Sequence, residues 1–319
     1  MIWTLVLLGI GFLLLIKGAD YLIEGAVAIA KRFGLSELLI GLTIVAFGTS
    51  APELAVSFQA ALKGSGIALG NVLGSNIANI ALILGAAALI SPLKVSNSTM
   101  YYEIPFIIII SAASGAMFFG RNFTLGRSDG IVLLAFFVIF MMYIFSMARQ
   151  DRAISQAVQI QEKKDTISFG RDIKWAWIAT IGGLVAVIIG GDLVVDAGSH
   201  IARSFGVSDM LIGVTIVAIG TSLPELVTSI TAGRKGRNDL AVGNVIGSNI
   251  FNTLFILGAS ALASPLKADR PFMMDIAFNV GLSIALPLLI MKRRVLSKFS
   301  GLLLVALYTV YLLLNTIAG

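Results

Sequence analysis

The hexapeptide GTSAPE, Gly48 to Glu53, sets a carboxylate in the middle of an apolar stretch that runs from about Leu38 to Leu62. The same words return as GTSLPE, Gly220 to Glu225. A Glu halfway along a membrane-length segment is costly to keep in hydrocarbon, so it marks an ion or substrate site by default. Aligning Ile40–Glu53 (IGLTIVAFGTSAPE) with Ile212–Glu225 (IGVTIVAIGTSLPE) gives 11 identities in 14 positions at an offset of 172. A second block, Leu69–Lys94, recurs as Val242–Lys267 at an offset of 173. The chain is an internal duplication, and the duplicated words carry its polar residues.

Composition places those words in a membrane. Hydrophobic residues make up 57% of the 319, charged residues only 13%, and mean hydropathy is +0.95. Soluble domains carry charge at about a quarter of positions. Long continuous apolar runs lack the alternation of a barrel, so the backbone must satisfy its hydrogen bonds as helices. The expected fold is an all-α integral membrane protein of ten transmembrane helices, spanning approximately 2–26, 36–62, 66–90, 101–120, 128–148, 173–197, 207–232, 239–263, 272–291 and 299–317. Residues 1–16 lack a basic start and a small-residue cleavage site, so they read as part of a retained first span.

Five spans per copy is an odd number, so the second copy enters the membrane from the opposite side and the repeats are inverted. The expected division is 1–148 for the first five-helix repeat, 149–172 for a polar cytoplasmic linker and 173–319 for the second. Such a linker is too short for a folded sensor domain. With the N-terminus outside, the inner loops hold sixteen Lys and Arg and the outer loops six. That bias supports the span count and puts both termini outside a cell membrane. It also accounts for the +6 charge without a nucleic-acid partner. The expected surroundings are membrane lipid, and because one chain carries both copies a monomer is expected to suffice.

The motif chemistry points to hard cations. Pro52 lacks an N–H and Gly48 weakens the helix, so carbonyls around Ala46 to Gly48 are expected to lose helical donors. Thr49 and Ser50 lie four and three residues before Glu53, on its helix face. Ala218, Thr221, Ser222 and Glu225 repeat the set, and the second block adds Asn71, Ser75 and Asn79 with Asn244, Ser248 and Asn252 at i, i+4, i+8. Amide, hydroxyl and carboxylate oxygens suit alkali and alkaline-earth ions, whereas thiolate and imidazole suit transition metals. The chain has no cysteine and a single histidine, His200, read as a solvated residue at a span end. Two midplane carboxylates balance one Ca²⁺ or two Na⁺, and competition for shared ligands is what an antiporter requires. For Asn76 and Asn249, helix packing and ligation remain equally open. Lys17 precedes Asp20 by one turn, so local pairing is the expected account of Asp20 and Glu24; a cation vestibule is the other.

GTS-x-PE twice and GN-x-x-GSN twice resemble the alpha-repeats of the cation/calcium exchanger superfamily, in particular prokaryotic sodium/calcium exchangers. The resemblance implies a dense core of spans two, three, seven and eight, with spans one and six sliding past it. It implies Glu53 and Glu225 as calcium ligands with the carbonyls of Ala46 and Ala218. Thr49, Ser50, Thr221, Ser222, Ser75 and Ser248 would hold sodium, and Asn79 and Asn252 the central position. No cofactor is implied; Na⁺ and Ca²⁺ are the transported ions, exchanged three for one. Amides at 79 and 252 differ from the Asp of potassium-dependent members, and GTS-x-PE differs from the GN-x-x-E of proton-coupled ones. The alternatives are a H⁺- or K⁺-coupled cation antiporter of the same fold and, in another class, a membrane enzyme using two carboxylates to activate water.

Overall fold

The computed structural model describes residues 2–64, 66–119, 123–161, 173–206, 220–267, 272–290 and 294–318. Ala218, and with it the first half of the expected span 207–232, lies outside the described residues. Eleven described helices are labelled in chain order: α1 (Ile2–Phe33), α2 (Glu37–Thr49), α3 (Ala51–Leu62), α4 (Ile67–Ile90), α5 (Thr99–Phe119), α6 (Arg127–Gln161), α7 (Ile173–Ser204), α8 (Leu223–Arg234), α9 (Asn238–Ala263), α10 (Met273–Ile290) and α11 (Lys298–Ala318). Among the described residues, eight single helices are long and apolar enough to cross a membrane, and α2 with α3, bent by 49°, can make a ninth. The molecule is an integral membrane protein.

Burial sorts these helices into layers. Within their most apolar windows α9 is 83% buried and α4 72%, against 17% for α6 and 22% for α1. Hence α4 and α9 form the centre, and α1, α6 and α11 present side chains such as Phe12, Met142 and Phe299 outward to lipid. The polar residues Asn76, Asn79, Ser248 and Asn252 on α4 and α9 are therefore buried in protein rather than set against acyl chains.

Glycine decides how closely helices approach. A Cβ at Gly11 would stand 3.0 Å from the Gly190 carbonyl oxygen, and one at Gly18 would stand 2.9 Å from that of Gly183. Reciprocally, a Cβ at Gly183 would lie 2.5 Å from the Leu22 nitrogen. α1 and α7 thus cross with their backbones in contact, the small-residue packing of membrane helices. Two-residue strands clip loops together: β1 (Leu93–Lys94) pairs with β4 (Val295–Leu296), and β2 (Thr124–Leu125) with β3 (Leu266–Lys267).

Two expectations change. Residues 149–161 continue α6 as helix instead of opening a linker at Arg149, and there Asp151 accepts the Ser36 backbone N–H at 2.8 Å. The i, i+3 partner expected for Asp20 is not Lys17 but Lys235, 2.8 Å away. Helical spacing predicts neighbours on one helix only, and this partner comes from the loop after α8.

Candidate functional site

Both GTS-x-PE motifs break the helix in the same way. Ser50 (φ −82°, ψ 9°) ends α2 and Ser222 (φ −92°, ψ 6°) precedes α8, with Pro52 and Pro224 in the first turn of the helix that follows. Proline is tolerated there because the first N–H groups of a helix have no intrahelical acceptor. Glu53 and Glu225 then fall in the first turns of α3 and α8, where unpaired N–H groups carry partial positive charge. Each carboxylate is 1% exposed. The Ala46 carbonyl does not lose its helical donor: it accepts the Ser50 N–H at 3.0 Å, and the hydroxyls of Thr49 (3.3 Å) and Ser248 (3.4 Å) also point at it. Pro52 removes the donor that would serve Gly48, one turn back from it, so the Ala46 bond is untouched.

Hydroxyls from the opposite copy reach each carboxylate. Ser50 donates to Glu225 Oε1 at 2.9 Å, and Ser222 donates to Glu53 Oε1 at 3.4 Å. From the following helix of the same copy, Ser75 donates to Glu53 Oε1 at 3.4 Å and Ser248 to Glu225 Oε1 at 3.5 Å. Ser75 and Ser222 are themselves 3.2 Å apart. Eight of the residues singled out by the duplication therefore lie in one buried cluster: Ala46, Ser50, Glu53, Ser75, Ser222, Glu225, Ser248 and, through Ala46, Thr49.

The asparagines hold the helices that carry this cluster. Asn71 donates to Ser57 (2.8 Å) and to the Glu53 carbonyl (3.3 Å), while Asn244 donates to Ser229 (2.9 Å) and accepts from Thr49 (3.2 Å). Asn76 donates to Thr253 (2.8 Å), Asn249 donates to the Asn76 carbonyl (3.3 Å), and Asn79 donates to Asn249 (2.9 Å). The helix widens to π geometry at Ala78–Ile83, which carries Asn79, and at Asn252–Ile256, which begins on Asn252. Such bulges are frequent at functional sites.

One oxygen of each carboxylate is left over. Among the described residues, Glu53 Oε2 and Glu225 Oε2 are buried and find no hydrogen-bond partner, and neither do Asn79 Oδ1, Thr221 Oγ1 or the Oδ1 and Nδ2 of Asn252. A buried unpaired carboxylate oxygen costs several kcal/mol unless a cation or donor meets it. The donor set is all oxygen, and no cluster of three or more His, Cys, Asp or Glu is found among the described residues. That chemistry fits hard cations rather than transition metals.

Besides Asp129 at the start of α6, two further buried carboxylates carry no motif. Glu103 accepts the hydroxyls of Ser98 (3.0 Å) and Tyr143, tying α5 to α6. Asp275 accepts from Tyr311 (2.6 Å) and Asn315 (3.4 Å), tying α10 to α11. An acid inside an apolar run was the available signal for both.

A duplicated oxygen-rich site sealed inside a helical membrane protein defines a class, the membrane transporters of hard cations. Residues 3–146 and 175–317 match the family described as sodium/calcium exchanger protein, and the chain belongs to that family of Na⁺ and Ca²⁺ antiporters. It is 39% identical over 274 residues to the inner membrane protein YrbG of Escherichia coli (strain K12), covering 84% of this chain and 82% of the relative. It is 35% identical to the sodium/calcium exchanger MaX1 of Methanosarcina acetivorans over 95% of each chain. A solved structure of the sodium-calcium exchanger NCX_Mj superimposes with a TM-score of 0.82 at 31% identity over 97% of each chain.

Proposed function

We propose that this protein exchanges Na⁺ for Ca²⁺ at a single midplane site built on Glu53 and Glu225. The observation that carries the reading is the pair of buried Oε2 atoms without partners among the described residues, each carboxylate receiving hydroxyls from both copies. Bidentate use of both carboxylates with the carbonyls of Ala46 and Ala218 supplies about six oxygens, within the range calcium takes. Thr49, Ser50, Thr221, Ser222, Ser75 and Ser248 offer neutral oxygens suited to Na⁺, with Asn79 and Asn252 between them. Two negative charges are balanced by one Ca²⁺ or by two Na⁺, so the ions compete. Exchange of three Na⁺ for one Ca²⁺ moves one net charge, worth about 2.3 kcal/mol per 100 mV.

The same reading takes the chain as ten spans in two inverted five-helix repeats, 1–148 and 173–319, joined on the cytoplasmic side by 149–172, of which 149–161 prolong α6, with both termini outside and one chain sufficient. The repeated offsets and the charge bias support it. Inverted repeats place a binding site at the midplane and let it open to each side in turn.

Calorimetric titration of the purified protein with CaCl₂ tests the site. The expected result is one Ca²⁺ bound, displaced by NaCl and lost in both Glu53→Gln and Glu225→Gln. Unchanged Ca²⁺ binding in either variant would refute the two-carboxylate site.

A further inference from the structure

Lys235 reaches across from the loop after α8 to α1, where its Nζ lies 2.8 Å from Asp20 Oδ1 and 3.4 Å from Glu24 Oε1. It also donates to the Asp20 backbone carbonyl at 3.4 Å. The offset of 172 that relates the GTS-x-PE motifs carries Asp20 onto Asp192, Glu24 onto Asp196 and Lys63 onto Lys235. Every member of the trio therefore has a counterpart in the other copy. The counterpart trio is not assembled: among the described residues no cation pairs with Asp192 or Asp196, and Lys63 pairs with no acid.

Packing shows the same asymmetry. α1 lies along α8, whereas the equivalent pair, α7 beside α3, makes almost no contact. α1 and α7 are interlocked through Gly11, Gly18, Gly183 and Gly190, so a shift of one carries the other. Glu53 and Glu225 are both sealed from solvent, and exchange requires opening toward each side in turn. In an inverted duplication, the two end states differ by which copy holds which arrangement.

We propose that Lys235 and Lys63 are alternate latches: Lys235 holds α1 through Asp20 and Glu24 in the state seen here, and Lys63 takes Asp192 and Asp196 of α7 when the α1/α7 unit moves. The two ion pairs are mutually exclusive because one rigid unit carries both acidic pairs. Side chains 31% to 43% exposed keep the Lys235 latch weak enough to break within a transport cycle. This proposal rests on the alternating-access reading above.

The chain has no cysteine, so paired cysteines report cleanly. Full-length Asp20→Cys/Lys235→Cys and Lys63→Cys/Asp192→Cys proteins, in proteoliposomes, are treated with a bis-methanethiosulfonate reagent, whose linker makes up the length of the lost lysine and whose two mixed disulfides are reducible, and cross-linking and Ca²⁺ flux are followed before and after reduction. Both pairs are expected to cross-link, each blocking flux until reduced. Adding Lys235→Gln to the second pair is expected to speed its cross-linking roughly two- to five-fold, the loss of one partly exposed ion pair. As a second variant, Lys63→Asp with Asp192→Lys is expected to keep the flux that Lys63→Asp alone reduces. A second pair that never cross-links in a protein whose unsubstituted form exchanges normally, or rates untouched by Lys235→Gln, would overturn the latch. Absence of Na⁺-driven flux in the unsubstituted protein would instead overturn the transport reading beneath it.

Discussion

Ser50 and Glu225 stand 175 residues apart in the chain, and the Ser50 hydroxyl donates to the Glu225 carboxylate at 2.9 Å. Its counterpart, Ser222 to Glu53, spans 3.4 Å. Each copy of the duplication therefore supplies a hydroxyl to the other's acid, and on the proposed reading neither half holds a complete site.

Removing either acid should remove calcium transport. Glu53→Gln or Glu225→Gln leaves one buried carboxylate facing a divalent ion, and breaking a buried charge pair typically costs about 3–5 kcal/mol. Calcium affinity is expected to fall by more than roughly 100-fold, measured by titration calorimetry.

Ser75→Ala should discriminate between ions. Ser75 touches Glu53 at 3.4 Å and Ser222 at 3.2 Å, supplying a neutral oxygen but no charge. Loss of one such contact, about 0.5–1.5 kcal/mol, is expected to weaken Na⁺ up to roughly tenfold and Ca²⁺ less. Ion-competition binding reads both; equal shifts would contradict the division of ligands.

Gly183→Ala should separate α1 from α7. The new Cβ would stand 2.5 Å from the Leu22 nitrogen and 2.6 Å from the Gly18 carbonyl oxygen, both backbone atoms that cannot rotate away. Overpacking of this kind costs about 1–3 kcal/mol. Reduced thermal stability and slowed flux are expected, while Gly182→Ala, whose Cβ meets nothing within 4 Å, should leave stability unchanged.

Asn252→Asp should add a third negative charge at a residue that is 0% exposed. Cation affinity is expected to rise and maximal flux to fall, because a calcium-loaded cage then carries net charge through a low-dielectric path. Flux measured against calcium concentration separates the two effects.

The duplication made the centre of the site legible. A midspan carboxylate repeated at a constant offset has no packing rationale, so Glu53 and Glu225 stand out in the sequence; helical spacing set Thr49 and Ser50 on Glu53's own face, whereas the break at Ser50 turns its hydroxyl to Glu225 of the other copy and Thr49 bonds Ala46 and Asn244. Other features depend on contacts between distant segments. Lys17 was the nearer candidate partner for Asp20, but Lys235 arrives from the second copy. The persistence of α6 to Gln161 was obscured because polar residues dominate 149–161, although Ile154, Ala157 and Val158 keep helical spacing there. The π turns at Ala78–Ile83 and Asn252–Ile256 leave no compositional mark, since one extra residue in a helical turn needs no special residue type. Glu103 and Asp275 were visible as acids in apolar runs, but their partners Tyr143 and Tyr311 sit 40 and 36 residues away.

The most direct test is radioactive calcium uptake into proteoliposomes loaded with Na⁺ and diluted into choline, beside K⁺-loaded and acid-loaded vesicles and a Glu53→Gln control. Uptake driven by the outward Na⁺ gradient alone, and absent in Glu53→Gln, is the predicted result. Uptake driven by protons or K⁺ without Na⁺, or undiminished in Glu53→Gln, would contradict it.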